Sequence, residues 1–185
     1  MIVIGASLGG VRALTALFQG IPATFRTPSA IVLHRQKDSD GMLVEILQRD
    51  LPLQVSEALD KEPILPGRIY LAPSDYHLLV EPNHFCLSID EPVRYARPSI
   101  DVLFESAADA FGREAIGIVL TGANVDGSEG ASRIKARGGR IIVQDPATAE
   151  APQMPQGVLS RIDPDYILPL DRIAPLLLEL TSHSG

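Results

Sequence analysis

Short apolar runs alternate with amphipathic stretches along this chain, and that alternation restricts the fold more than any other feature. Ile2-Val3-Ile4, Ala30 to Leu33, Ile69 to Ala72, Ala115 to Leu120 and Ile141-Ile142-Val143 have the length and apolarity of buried strands, and Val55 to Ala58 and Tyr166-Ile167-Leu168 read as further short strands. The intervening segments predict helices near 11–19, 42–49, 99–111, 128–137, 155–160 and 171–180. In the first of these, Leu14, Leu17 and Phe18 form a face spaced by three and four residues. Asp40-Gly41 precedes the second, and Ser99 and Asp171 stand where side-chain caps belong. Strands that alternate with helices form βαβ units and a parallel sheet covered on both faces. Two runs, 77–81 and 84–89, flank Pro82-Asn83 closely enough to make an antiparallel hairpin. The expected architecture is a three-layer, mostly parallel, doubly wound (Rossmann-like) α/β sheet with an added hairpin. The 185 residues contain no internal repeat, low-complexity tract or linker, so residues 1–185 read as a single domain.

Composition narrows the function. A formal net charge of −7, with 23 acidic against 16 basic side chains, disfavours general binding to nucleic acid or anionic membranes. One cysteine, Cys86, cannot close an internal disulfide, and its apolar surroundings read as core filler rather than a nucleophile. Four scattered histidines form no zinc-ligand cluster, so neither a metal nor a cofactor is expected. No apolar run reaches the roughly 18 residues of a membrane span, and no secretory leader is legible, so no membrane insertion and a cytoplasmic location are expected.

Open parallel sheets place their sites beyond the carboxyl ends of the strands. Three reactive residues stand there. Ser7 follows the first strand within Gly5-Ala6-Ser7-Leu8-Gly9-Gly10, a small-residue turn of the nucleophile-elbow type. The same turn would also suit plain helix packing or a phosphate site, although serine at position 7 departs from the dinucleotide pattern. His34 directly follows the second strand. His77 is further from its strand, His84 lies by the hairpin turn and His183 is in the C-terminal tail. Asp126 lies in the loop Thr121 to Gly127, where it could equally cap the next helix, and Asp75 and Asp145 also follow strands. Ser7, His34 and Asp126 would form a relay in which imidazole takes the serine proton and carboxylate fixes the imidazole tautomer. Their order along the chain, Ser-His-Asp, is not that of the α/β-hydrolases.

These residues sit in segments that together resemble a known family. The segments are Ile4-Gly5-Ala6-Ser7 with Gly9-Gly10, the strand ending in His34, Pro66 to Pro73, Arg97 to Phe104, Leu120-Thr121-Gly122 with Asp126-Gly127, Gln144-Asp145 and Met154-Pro155. In that order they resemble the catalytic domain of the CheB-type chemotaxis protein-glutamate methylesterases, without the N-terminal receiver domain. The resemblance implies that Ser7 is the nucleophile, His34 the general base and acid, and Asp126 the residue orienting His34. It implies hydrolysis of glutamyl γ-methyl esters, and deamidation of some glutamines, on the cytoplasmic helices of methyl-accepting chemotaxis receptors. The Leu8 N–H and the Ala123 loop are then candidate oxyanion donors. The chain departs from the family at Leu8, commonly threonine, at Arg35, often methionine, and at Gly122-Ala123-Asn124, commonly Gly-Met-Gly. Arg12, Arg35, Arg94 and Arg97 are candidates for a basic rim facing an acidic receptor bundle, although each also reads as ordinary solvated surface. A relative acting on another ester or amide, and a non-catalytic signalling module, are the alternatives.

Overall fold

The computed structural model describes residues 1–34 and 42–182. The expected features at Arg35, Asp40-Gly41 and His183 lie outside the described residues. Among those described, the chain forms nine strands: β1 (Ile2–Ala6), β2 (Ser29–Leu33), β3 (Gln54–Glu57), β4 (Arg68–Leu71), β5 (His77–Val80), β6 (Phe85–Ser88), β7 (Ile116–Val119), β8 (Arg140–Gln144) and β9 (Tyr166–Leu168). It also forms six α-helices: α1 (Gly10–Gln19), α2 (Met42–Asp50), α3 (Ile100–Phe111), α4 (Ser128–Ala136), α5 (Gln153–Leu159) and α6 (Leu170–Ser182). Seven strands make one parallel sheet in the order β3-β4-β2-β1-β7-β8-β9, and β5 and β6 make the expected antiparallel hairpin.

The period of two along each strand divides the core into two layers. Ile2, Ile4 and Ala6 of β1, with Ile31 and Leu33 of β2, pack under α1, α2 and α6, where Leu14, Leu17, Phe18, Leu47 and Leu177 close the layer. Val3, Ala30 and Val32 point the other way, to Ile100, Leu103 and Phe104 of α3, Ile134 of α4, Val158 of α5 and the hairpin's Leu78 and Phe85. Both faces of the central strands β1, β2 and β7 are therefore buried, which is why these read as unbroken apolar runs rather than as alternating ones. Burial of each large aliphatic or aromatic side chain contributes on the order of 2 kcal/mol.

The winding positions the site. After β1 the chain fills one half of the sheet through β2, β4 and β3, then returns to the other side of β1 as β7. The helix after β1 packs on one face and the helix after β7 on the other. The two connections therefore diverge at the carboxyl ends of β1 and β7, the topological switch point of the sheet, where the Ser7 turn and the Asp126 loop begin.

Element boundaries differ from expectation where tertiary contacts decide them. β1 runs on to Ala6, so Ser7 is the first residue after the strand. α5 starts at Gln153, two residues early, and buries Met154 completely. Asp171 lies in the first turn of α6 rather than at its cap, a position where its charge still suits the helix dipole. Ser99 occupies the N-cap of α3, but its hydroxyl does not bond the helix N–H groups. Cys86 is half-buried rather than core filler: its Sγ lies 3.0 Å from Lys61 Nζ and 3.5 Å from His84 Nε2.

Helices α3 and α4 pack closely at Gly130, where an added Cβ would lie 2.4 Å from the Phe104 Cβ and 2.9 Å from the Asp101 carbonyl oxygen. Gly130→Ala should therefore destabilise the protein by about 1–3 kcal/mol through overpacking, although alanine is the better helix former. Urea unfolding of the variant reads the sign directly.

Candidate active site

Three neighbouring strands end level with one another. The ladder continues past them through the Ser7 N–H, which donates to the Thr121 carbonyl at 2.9 Å, and the His34 N–H, which donates to the Ala6 carbonyl at 3.0 Å. Residues 34, 7 and 121 thus stand side by side on adjacent strands, a spacing of roughly 4.8 Å between chains. Gly9, at φ 79°, turns the chain sharply after Ser7 and starts α1, and the Gly10 N–H folds back to the Ser7 carbonyl at 2.8 Å. That left-handed conformation favours glycine, and a Cβ there would also meet Glu150 at 2.9 Å. Thr121 clamps the turn. Its hydroxyl donates to the Leu8 carbonyl at 2.9 Å and accepts the Ala151 N–H at 2.8 Å. Gly122 leaves the room this needs, because a Cβ there would sit 2.6 Å from the Met154 Cε and 3.0 Å from the Ser7 Cβ.

Asp126 reaches the site from the loop after β7 and is almost fully buried. It does not cap its own following helix, whose N-cap is Gly127 at φ 94°. It sits instead at the N-terminus of α3. The Ile100 N–H donates to its Oδ2 at 2.7 Å, and the Asp101 N–H and Ser99 hydroxyl donate to its Oδ1 at 3.0 Å each. The helix dipole favours an anion at this point. His34 Nε2 lies 2.9 Å from the same Oδ2. Burial works to raise the pKa of Asp126, but the hydrogen bonds from His34, Ile100 and Asp101 outweigh it and hold the carboxyl below its ordinary range. Asp126 is therefore ionised at neutral pH and accepts the His34 N–H.

The structure thus brings His34 and Asp126 into direct contact and sets Ser7 and His34 on the wall of one cleft of about 670 Å³. The rest of that wall is mainly apolar, with Leu8, Val11, Leu33 and Ile46 among its residues. Leu8 is 57% exposed there. Asp75 and Asp145 belong elsewhere, Asp145 as the N-cap of a short turn at Pro146–Thr148. His77 is buried, accepting the Ser99 N–H at 3.2 Å, with its other ring nitrogen 3.2 Å from the Glu91 carbonyl. Of the arginines proposed as a rim, Arg12 lines the cleft but pairs with Glu150 at 3.1 Å. Arg94 pairs with Glu129 at 2.7 Å, and Arg97 donates to the Ile89 and Asp90 carbonyls.

Residues 2–177 match the family model for the CheB methylesterase domain. The chain belongs to the CheB methylesterase family. The fold agrees: the crystal structure of the Thermotoga maritima CheB methylesterase catalytic domain superposes with a TM-score of 0.94 at 33% identity, covering 97% of each chain. A Leptospira interrogans protein named as a candidate protein-glutamate methylesterase/protein-glutamine glutaminase is 43% identical over 184 residues, 99% of this chain and 95% of its own length. A protein-glutamate methylesterase/protein-glutamine glutaminase of Anaeromyxobacter dehalogenans is 40% identical over 98% of this chain, which spans 53% of that relative's length. Among the described residues no helix is long and apolar enough to cross a membrane.

Sequence reasoning on this CheB-type domain overlooked the donors that hold Asp126. They come from Ser99, Ile100 and Asp101, where the sequence marks only a helix start with Ser99 as its cap. Asp101 itself is buried behind Asp126, with its Oδ1 accepting the Gly130 N–H at 2.8 Å and Arg94 Nε 3.7 Å from its Oδ2. Burial pushes Asp101 up to about 6, with the Gly130 N–H opposing, the Asp126 charge adding and Arg94 opposing. Its folded pKa exceeds the unfolded value near 3.8, so the folded state holds the proton more tightly. Its contribution to stability is full below about pH 3.8 and is lost as pH rises toward 6. Asp101→Asn should therefore gain stability relative to the unmodified protein as pH is raised across that window, measured as the difference between paired denaturation curves. A gap independent of pH would show that Asp101 ionises normally.

Proposed function

We propose that this chain hydrolyses glutamyl γ-methyl esters on the cytoplasmic helices of methyl-accepting chemotaxis receptors, and deamidates receptor glutamines, using Ser7, His34 and Asp126. Family membership supports the reaction class, and the 2.9 Å contact of His34 with a buried, ionised Asp126 beside Ser7 carries the assignment of roles. Residues 1–185 act as one catalytic domain working in the cytoplasm.

In this reading Asp126 holds the Nε2–H tautomer of His34, which leaves the Nδ1 lone pair to take the proton of the Ser7 hydroxyl. Ser7 Oγ attacks the ester carbonyl, and the developing oxyanion is met by N–H groups at the start of α1, Leu8 among them. Protonated His34 returns the proton to the departing methoxide, so methanol leaves and the glutamyl acyl group stays on Ser7. Water, deprotonated by His34, then hydrolyses the acyl-enzyme to glutamate. A glutamine side chain follows the same course with ammonia as the leaving group. The apolar cleft wall suits the methyl group and the apolar flank of a receptor helix better than a charged ligand.

Methanol release from methylated receptor cytoplasmic fragments tests the proposal. The unmodified chain should release methanol, and Ser7→Ala should lower the rate by roughly a thousandfold or more. Release that persists in the variant would overturn the role of Ser7. A folded wild-type chain inert on several receptors would overturn the substrate.

A further inference from the structure

One departure from the family pattern touches the catalytic base. Asn124 stands where the family commonly has glycine. Its side-chain Oδ1 accepts the Asp126 N–H at 3.1 Å, and its Nδ2 lies 2.9 Å from His34 Nδ1. The backbone N–H can only donate, so it fixes which end of the amide is oxygen and directs the NH₂ group at the imidazole. An amide NH₂ can only donate, so Nδ1 accepts and the ring proton lies on Nε2, facing Asp126. The lone pair that has to receive the Ser7 proton is therefore already engaged. Among the described residues no hydrogen bond joins the Ser7 hydroxyl to His34, although both line one cleft.

We propose that Asn124 is a positioning residue that caps His34 Nδ1 in the resting enzyme, holding the ring in its productive tautomer while competing with Ser7 for the same lone pair. The inference rests on the reading of Ser7 as nucleophile and His34 as its base. Asn124 lies in an exposed loop, so its amide can swing aside. A neutral amide hydrogen bond at a partly solvated position is weak enough for a bound substrate to displace. Entry of the receptor side chain then frees Nδ1 for the Ser7 hydroxyl. The free enzyme is kept from spending its nucleophile on stray electrophiles, and Asp126 retains the ring orientation throughout.

Two substitutions separate this role from support of the loop. Asn124→Gly removes both the cap and the loop hydrogen bond. Asn124→Asp keeps an acceptor for the Asp126 N–H but places a carboxylate against Nδ1, which pairs with it only when that nitrogen is protonated and so has no lone pair for Ser7. The readout is the rate of Ser7 labelling by an alkyl fluorophosphonate, which forms the Oγ–P bond, expels fluoride and passes the hydroxyl proton to His34. Labelling in Asn124→Gly should be about fivefold faster than in the unmodified enzyme, the size expected for removal of one competing hydrogen bond, and in Asn124→Asp it should be at least tenfold slower. A loop-support role gives the opposite order, with Asn124→Gly slower and Asn124→Asp near wild type, and would overturn the inference. Imidazole ¹⁵N spectra give a second reading: the His34 Nδ1 resonance should move toward that of an unbonded lone pair in Asn124→Gly, and an unmoved resonance would show that the amide does not donate. Ser7→Ala is the control. Labelling that survives in Ser7→Ala, or is absent from every variant, sinks the triad itself, whereas Ser7-dependent labelling indifferent to residue 124 sinks only the role of Asn124.

Discussion

A buried carboxylate organises this molecule. Asp126 is sealed from solvent, and an unpaired anion in such a place would be prohibitively unstable. Four donors hold it: the His34 ring, the Ser99 hydroxyl and the N–H groups of Ile100 and Asp101. They arrive from two separate pieces of chain, His34 from one and three consecutive residues from the other, so one charge ties the end of β2, the start of α3 and the loop after β7 into a single unit. The close packing of α3 on α4 at Gly130 keeps the helix N-terminus aimed at that charge. Functional geometry and helix capping are here the same set of bonds.

The sheet supplies the remaining alignment. Parallel pairing in register places residues 34, 7 and 121 on three neighbouring strand ends without any side-chain contact being needed. The reversal of winding at β1 and β7 then draws the following helices to opposite faces, so that the Ser7 turn and the Asp126 loop leave neighbouring strand ends. Thr121 and Gly122 finish the arrangement. One clamps the Leu8 carbonyl to the Ala151 loop, and the other lets Met154 and the Ser7 turn approach. The floor of the site is backbone, and the side chains of Ser7, His34 and Asp126 stand on it.

Much of this was legible beforehand. The sheet, its layers and the hairpin follow from apolar runs whose period and length admit few alternatives. Ser7 and His34 were legible as candidates at strand ends, because position after a strand is a local property. Asp126 was legible as a candidate only alongside a competing reading as the cap of its own helix. The structure shows a cap indeed, but of α3, a helix more than twenty residues upstream in sequence. Local rules assign a carboxylate to the nearest helix start and have no means of seeing a distant one. Ser99 was misread for the same reason: its cap position is correct, yet its hydroxyl turns to Asp126. Cys86 looked like core because its neighbours in sequence are apolar, while the hairpin's outer face puts Lys61 and His84 beside it.

By itself, the sequence determined the layered α/β architecture, the glycine-bearing turn after β1 and the family, since these depend on residue type, short-range spacing and the order of segments. Tertiary structure alone decided which donors surround Asp126, why Asp101 titrates high and where the Asn124 amide points. Those outcomes depend on distances between residues that are far apart along the chain. Hydrogen bonding and desolvation act over a few ångströms, so they exist only once folding has brought those groups together.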